Sequence, residues 1–265
     1  MRAIVAKIIP NKAKKYLFKN TVVKLLCSPR PTLAVAIILK FLFSKKIHIS
    51  FAERLTILRR FFKIDKYLDC AHSFEEYLIP AYEILTFPSV KGHIIEAGAF
   101  KGGGTAKLSI IAKICNRKLF VFDSFEGLPE NNEPVAHTTL GGICPYNKGE
   151  FSGSLDEVRR NVEKFGEIEV CSFVKGWFDT TMPTFREEVI TVFCDVDLES
   201  STKTVLKNMW PNLVHKGFFF SQDAHIPIVL KLFSNQDFWR DEIGQDPPRF
   251  VHFTKRLGYL KKIVK

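Results

Sequence analysis

The sequence predicts an α/β fold, a mostly parallel sheet with helices on both faces and a C-terminal antiparallel hairpin. Three observations predict it. Short runs rich in Ile, Val and Phe recur from residue 93 onward, the pattern of strands buried on both faces. Helical segments alternate with them, as crossovers in a parallel sheet require. At 265 residues the chain is long enough for one substantial domain of this kind and an appendage.

Taken in order, residues 1–48 read as a basic N-terminal extension of helices broken at Pro10 and at SPRP, Ser28 to Pro31. Its apolar run LAVAIILKFLF is shorter than the roughly 20 residues that a membrane-spanning helix needs. That leaves a buried packing helix, which is expected, or an interfacial one beside basic flanks. Residues 49–90 form a helical lead-in, because apolar residues in FAERLTILRRFF and FEEYLIPAYEIL recur three and four apart before FPSVKG ends the pattern. The sheet domain covers residues 91–265. Its expected strands are HIIEAG, KLFVFD, EVCSFVKG, VITVFCDVD and GFFFSQD, and RFVHFTKRLGYLKKIV supplies the hairpin. Helices are expected at GGTAKLSIIAKI, SLDEVRRNVEKF, TFREEV, STKTVLKNMW and from Pro227, a residue favoured in a first helical turn. The irregular stretch from Pro129 to Phe151 is long for a loop, which marks it as a lid or binding loop.

The formal charge of +11 is unevenly held. Residues 1–66 carry 16 Lys and Arg against two acids, Glu53 and Asp65, and the rest carry 23 against 26. A nucleic-acid enzyme is disfavoured, because no aromatic residues interleave with the basic ones as in a base platform. A cationic arm on a slightly acidic body predicts attraction to an anionic surface, such as the inner face of a membrane. The six cysteines show no C-x-x-C pair and no zinc spacing, and no convincing signal peptide is present. A reduced protein of the cytoplasm is the expectation.

The functional signal lies in EAGAFKGGGT, which follows the first strand. In open parallel sheets this position faces the ligand crevice. A P-loop needs lysine where Gly104 stands. A dinucleotide fingerprint needs G-x-G-x-x-G, whereas Gly98 is followed by glycine only at Gly102 and preceded by Glu96. A carboxylate there repels phosphate and suits a cation. E-x-G-x-x-x-G fits S-adenosylmethionine, which carries a sulfonium, an ammonium and no phosphate. Asp123 ends the second strand roughly 20 residues on, where an acid accepts ribose hydroxyls.

IIEAGAFKGGGTAKLS, VFDSFEGLPE, VKGWFDTTMP, CDVDLESSTKTVL and SQDAHIP occur in this order over roughly residues 70–260. Together they resemble the macrocin O-methyltransferases, which methylate sugar hydroxyls in macrolide and aminocoumarin-type antibiotics. The resemblance implies a Rossmann-like class I methyltransferase sheet and a possible homodimer. It implies that Glu96, Gly98, Ala99, Gly103 and Thr105 border the methionine part of S-adenosylmethionine, that Asp123 and Ser124 hold the ribose, and that Gly176, Trp177 and Phe178 flank the adenine.

FCDVDLES and FFSQDAH bring Asp195, Asp197, Gln222 and Asp223 to the same crevice. Clustered carboxylates need protons or a cation, and hard oxygen ligands with an open side suit Mg²⁺. By resemblance the metal ligands are Asp195, Gln222 and Asp223. Gln222 stands where the family usually has an acid, so weaker Mg²⁺ binding is expected. The base that takes the acceptor's proton stays open among His137, His225, Asp195 and Asp197. The family's loop histidine is replaced in ICPYNKG by Cys144 and Pro145. The expected activity is Mg-assisted O-methylation of a sugar or glycosylated small molecule. A cofactor-binding relative with little turnover is the alternative.

Overall fold

In the computed structural model of this protein residues 31–263 are described. The helices expected up to residue 30, and Cys27, lie outside the described residues. The chain divides into two units, residues 1–45 and 46–265. The described part of the first is one helix, α1 (Pro31–Phe43), which carries the apolar run. Among the described residues no helix is long and apolar enough to cross a membrane.

The second unit opens with the expected helical pair, α2 (Phe51–Tyr67) and α3 (Phe74–Thr86). α2 starts at a reciprocal cap: the Ser50 hydroxyl accepts from the Glu53 N–H and the Glu53 carboxylate accepts from the Ser50 N–H. Its apolar stripe of Ile57, Leu58, Phe61 and Ile64 is buried.

The seven-stranded sheet is built from β1 (His93–Ala97), β2 (Leu119–Asp123), β5 (Cys171–Lys175), β6 (Val189–Cys194), β7 (Leu213–Ser221), β8 (Phe250–His252) and β9 (Gly258–Lys261). Its order is β5-β2-β1-β6-β7-β9-β8; the first five are parallel and the last two antiparallel. Strand order reverses between β1 and β6, so the crevice opens at the carboxyl ends of these two strands. All six residues of β6 are buried, as are four of the five in β1. Such strands can sit only at the centre of the sheet.

Helices α4 (Gly103–Ile114), α5 (Leu155–Phe165), α7 (Glu199–Met209) and α8 (Pro227–Leu232) cross over between strands. Two further pieces differ from expectation. TFREEV is not helical; the short helix α6 is Phe178–Thr181, one turn before Pro183. Phe185 is instead drawn out to pack edge-on against Phe120 and Phe122, which leaves Glu187 and Glu188 as the lead into β6. β7 also begins four residues before GFFFSQD, because Leu213 pairs with Val189 of β6 and the N–H of Lys216 (φ 68) bonds to the Lys262 carbonyl, although LVHK lacks a continuous apolar pattern. The long loop after Pro129 contains a small antiparallel pair, β3 (Ala136–His137) and β4 (Ile143–Cys144).

Candidate active site

A cavity of about 720 Å³ lies at the carboxyl ends of β1, β2, β5, β6 and β7, within the size range of small-ligand pockets. Glu96, Gly98, Ala99, Gly103, Asp123, Ser124, Gly176, Trp177, Phe178, Asp195, Asp223 and His225 all line it. Thr105 and Gln222 are buried without reaching its surface, and His137 is exposed on β3, off the cavity wall. Phe100, Tyr146, Phe151 and Asp197 line the cavity with positive φ, between 48° and 63°. Non-glycine residues hold that conformation at a cost, and such strain gathers at ligand sites.

The glycine turn is shaped by close approach. Gly98 (φ 89) lies so near the Asp195 carbonyl that a Cβ would overlap it, which brings the ends of β1 and β6 together. A side chain at Gly104 would collide with the Tyr77 hydroxyl and the Glu96 carboxyl. The lysine of a P-loop therefore has no room here. Glu96 is 1% exposed, and its Oε2 has no hydrogen-bond partner among the described residues. Burial raises its pKa to about 8, and the Asp123 and Asp195 carboxylates push the same way.

Asp123 fixes the neighbouring loops. Its Oδ2 accepts from the Ala99 N–H at 2.6 Å and its Oδ1 from the Phe125 N–H at 2.6 Å. The carboxylate also lines the cavity, within reach of a ligand hydroxyl. Trp177 is 41% exposed and so offers a ring face that is not spent on the core. This half of the pocket presents two carboxylates, a glycine turn and an aromatic ring, a set suited to a cationic nucleoside without phosphates.

The other half is acidic. Asp223 Oδ2 accepts from the Val196 and Asp197 N–H groups at 3.0 and 3.1 Å, which pins the turn after β6 and holds Asp197 at φ 63. Burial, with Asp195 nearby, raises Asp223 to about 7. Burial also holds the Asp197 carboxyl well above the usual range, reinforced by Asp223 and Asp195. His225 is driven the opposite way, to about 4, by burial and then by Arg256, so its imidazole is neutral near pH 7.

A family model described as Macrocin-O-methyltransferase (TylF) matches residues 77–243. The chain belongs to this family. Its relatives include the 8-demethyl-8-(2,3-dimethoxy-alpha-L-rhamnosyl)-tetracenomycin-C 4'-O-methyltransferase of Streptomyces olivaceus, 30% identical over 151 residues, covering 54% of this chain and 57% of the relative. The mycinamicin III 3''-O-methyltransferase of Micromonospora griseorubida is 31% identical over 147 residues, covering 52% and 57%. The chain thus spans a little over half the length of the curated relatives it matches. Among solved structures, the O-methyltransferase NovP superposes with a TM-score of 0.60 at 23% identity, covering 74% of this chain and 84% of that one. The calicheamicin methyltransferase CalS11 gives 0.56 at 18% identity, covering 88% and 93%. These likenesses establish the class I methyltransferase sheet.

Against the macrocin O-methyltransferase pattern, one side chain was not legible in the motifs. His72, from the turn between α2 and α3, places Nε2 3.0 Å from Asp195 Oδ2 and Nδ1 3.8 Å from Glu76 Oε2. Burial opposes its charge, but Asp195, Glu76 and Asp223 outweigh burial and raise its pKa. Its spacing to Glu76, one helical turn on, was the only sequence signal. Nothing in the sequence linked that turn to a strand end more than 120 residues away.

The expected Mg²⁺ donors do not form an open set of hard oxygens. Gln222 donates Nε2–H to Glu76 Oε2 at 2.8 Å, and its Oε1 is buried away from the cavity without a partner among the described residues. Asp195 is engaged by His72, and one oxygen of Asp223 is taken by two backbone N–H groups. Among the described residues no group of three His, Cys, Asp or Glu side chains is arranged to hold a metal ion. These residues do not fit the ion that the resemblance implied.

Proposed function

We propose that the chain is an S-adenosylmethionine-dependent O-methyltransferase acting on a hydroxyl of a sugar or glycosylated small molecule. One observation carries the reading: a pocket at the β1/β6 reversal joins a glycine turn too tight for a P-loop lysine to a buried carboxyl, Glu96, and a half-buried one, Asp123. Adenosylmethionine, when bound, supplies an electrophilic methyl group on a positively charged sulfur. Glu96 holds the cationic part, Asp123 accepts the ribose hydroxyls and Trp177 covers the adenine, where stacking on a purine is favourable. The names of the curated relatives support a sugar hydroxyl as acceptor.

The acceptor lies on the acidic side, under β3 and β4. Its proton passes to Asp197, which lines the cavity and whose basicity burial increases. His225, neutral and on the cavity wall, orients the hydroxyl by hydrogen bonding. Closure of this loop excludes water, and alignment of the reacting atoms contributes much of the acceleration.

Calorimetry and a transfer assay with labelled cofactor test the reading. Heat with adenosylmethionine and adenosylhomocysteine, and labelled product from a panel of deoxysugar glycosides, are expected. Uptake of ATP or NAD with no response to either adenosyl compound refutes it, and cofactor binding without product favours a chain that has lost turnover. The cationic N-terminal part belongs to the same reading as a peripheral contact with an anionic membrane on the cytoplasmic side. Sedimentation with anionic vesicles should fall when residues 1–48 are deleted and at raised salt. A homodimer completes it and is checked by light scattering.

A further inference from the structure

We propose that two internal pairs, His72–Asp195 and Gln222–Glu76, occupy the place of a divalent ion, so that this pocket works without metal. This rests on the methyltransferase reading above. The argument begins with charge. Asp195, Asp197 and Asp223 stand together at the ends of β6 and β7, and mutual repulsion requires a counter-charge or protons. His72 provides a side chain between two carboxylates, its ring buried to 8% exposure and one nitrogen facing each. Asp223 is offset by the Val196 and Asp197 N–H groups, two fixed dipoles that need no ion.

Gln222 and Glu76 are matched to the same end. Glu76 Oε2 accepts the Gln222 amide at 2.8 Å while its Oε1 accepts the Thr254 hydroxyl at 3.0 Å, so this carboxylate has a fixed role. An aspartate at 222 would put an acid where that amide now donates and leave Glu76 facing a like charge. The amide removes one negative charge, Glu76 fixes which way it points, and His72 engages the carboxylate that a metal would need. A dication bound at Asp195 Oδ2 would have to displace the His72 ring from that oxygen. Oxygen sites for Mg²⁺ need carboxylate oxygens open to the ion, and one oxygen each of Asp195 and Asp223 is already held, by His72 and by two backbone N–H groups. His72 is thus a positioning residue that fixes the Asp195 carboxylate.

Mn²⁺ is the probe, read by electron paramagnetic resonance on the full chain with and without adenosylhomocysteine. No saturable site is expected, and methyl transfer should change less than twofold after EDTA treatment. One tightly bound Mn²⁺ per unaltered chain, or transfer abolished by EDTA, overturns the proposal. The double variant His72→Asn with Gln222→Asp should acquire one Mn²⁺ site; a folded variant that stays blank also overturns it. Adenosylhomocysteine calorimetry is independent of the metal, so its silence would sink the functional reading while the Mn²⁺ titration still decides this one.

Discussion

Glu96 is a carboxyl kept out of water at the point where a cation is to be received. With its pKa near 8 it is largely protonated at pH 7 in the free protein. A bound cation favours the ionised form, so adenosylmethionine binding should release a proton near pH 7, and affinity should rise with pH until it levels above about 8. Calorimetry in buffers of different ionisation enthalpy measures that proton directly; uptake, or no exchange, contradicts the role given to Glu96. Asp197→Asn removes the base without changing shape, and a loss in kcat of about 10²- to 10⁴-fold is expected. Adenosylhomocysteine affinity should stay within a few-fold, which separates loss of proton transfer from loss of cofactor binding. His137, one of the expected bases, sits exposed off the cavity wall, so His137→Ala should leave kcat nearly unchanged.

At the scale of elements, the glycine turn between β1 and α4 is the tightest constraint. Gly98→Ala would drive a methyl group into the Asp195 carbonyl at a positive φ, so the ends of β1 and β6 must part. Strain at such positions costs about 1–3 kcal/mol. A lower thermal midpoint together with lost cofactor binding is expected, read by calorimetry of the purified variant. This turn was legible in the sequence because glycine spacing, an acid and a strand end occupy one continuous segment. The strands were legible too, since burial on both faces forces unbroken runs such as VITVFC in β6. What escaped was set by partners distant in the chain. The segment TFREEV has helical composition, yet the Phe185 ring packs edge-on against Phe120 and Phe122 of β2. His72 and Glu76 likewise read as ordinary positions around a helix start until the fold sets them against Asp195 and Gln222.

For the whole molecule, the pocket is a store of unfavourable electrostatics held in place by the sheet. Glu96 and Asp223 keep protons to about pH 8 and about 7 when folded, while the unfolded chain releases them near 4.5 and 3.8. Between those limits the unfolded chain binds fewer protons than the folded one, so stability falls as pH rises. The raised pKa of His72 acts in the same direction. His225 opposes it from about pH 4 to 6.5, because its folded pKa is lowered. The fall should therefore be clearest between about pH 6.5 and 8 and flatten beyond. A cationic ligand that favours ionised Glu96 relieves part of this penalty. Differential scanning calorimetry across pH should show the ligand-free midpoint dropping through that window, and the increment from adenosylmethionine growing over the same range. An increment that shrinks with pH would mean that the pocket's carboxyls do not receive the ligand's charge, and the fold would then be supporting some other chemistry at its strand ends.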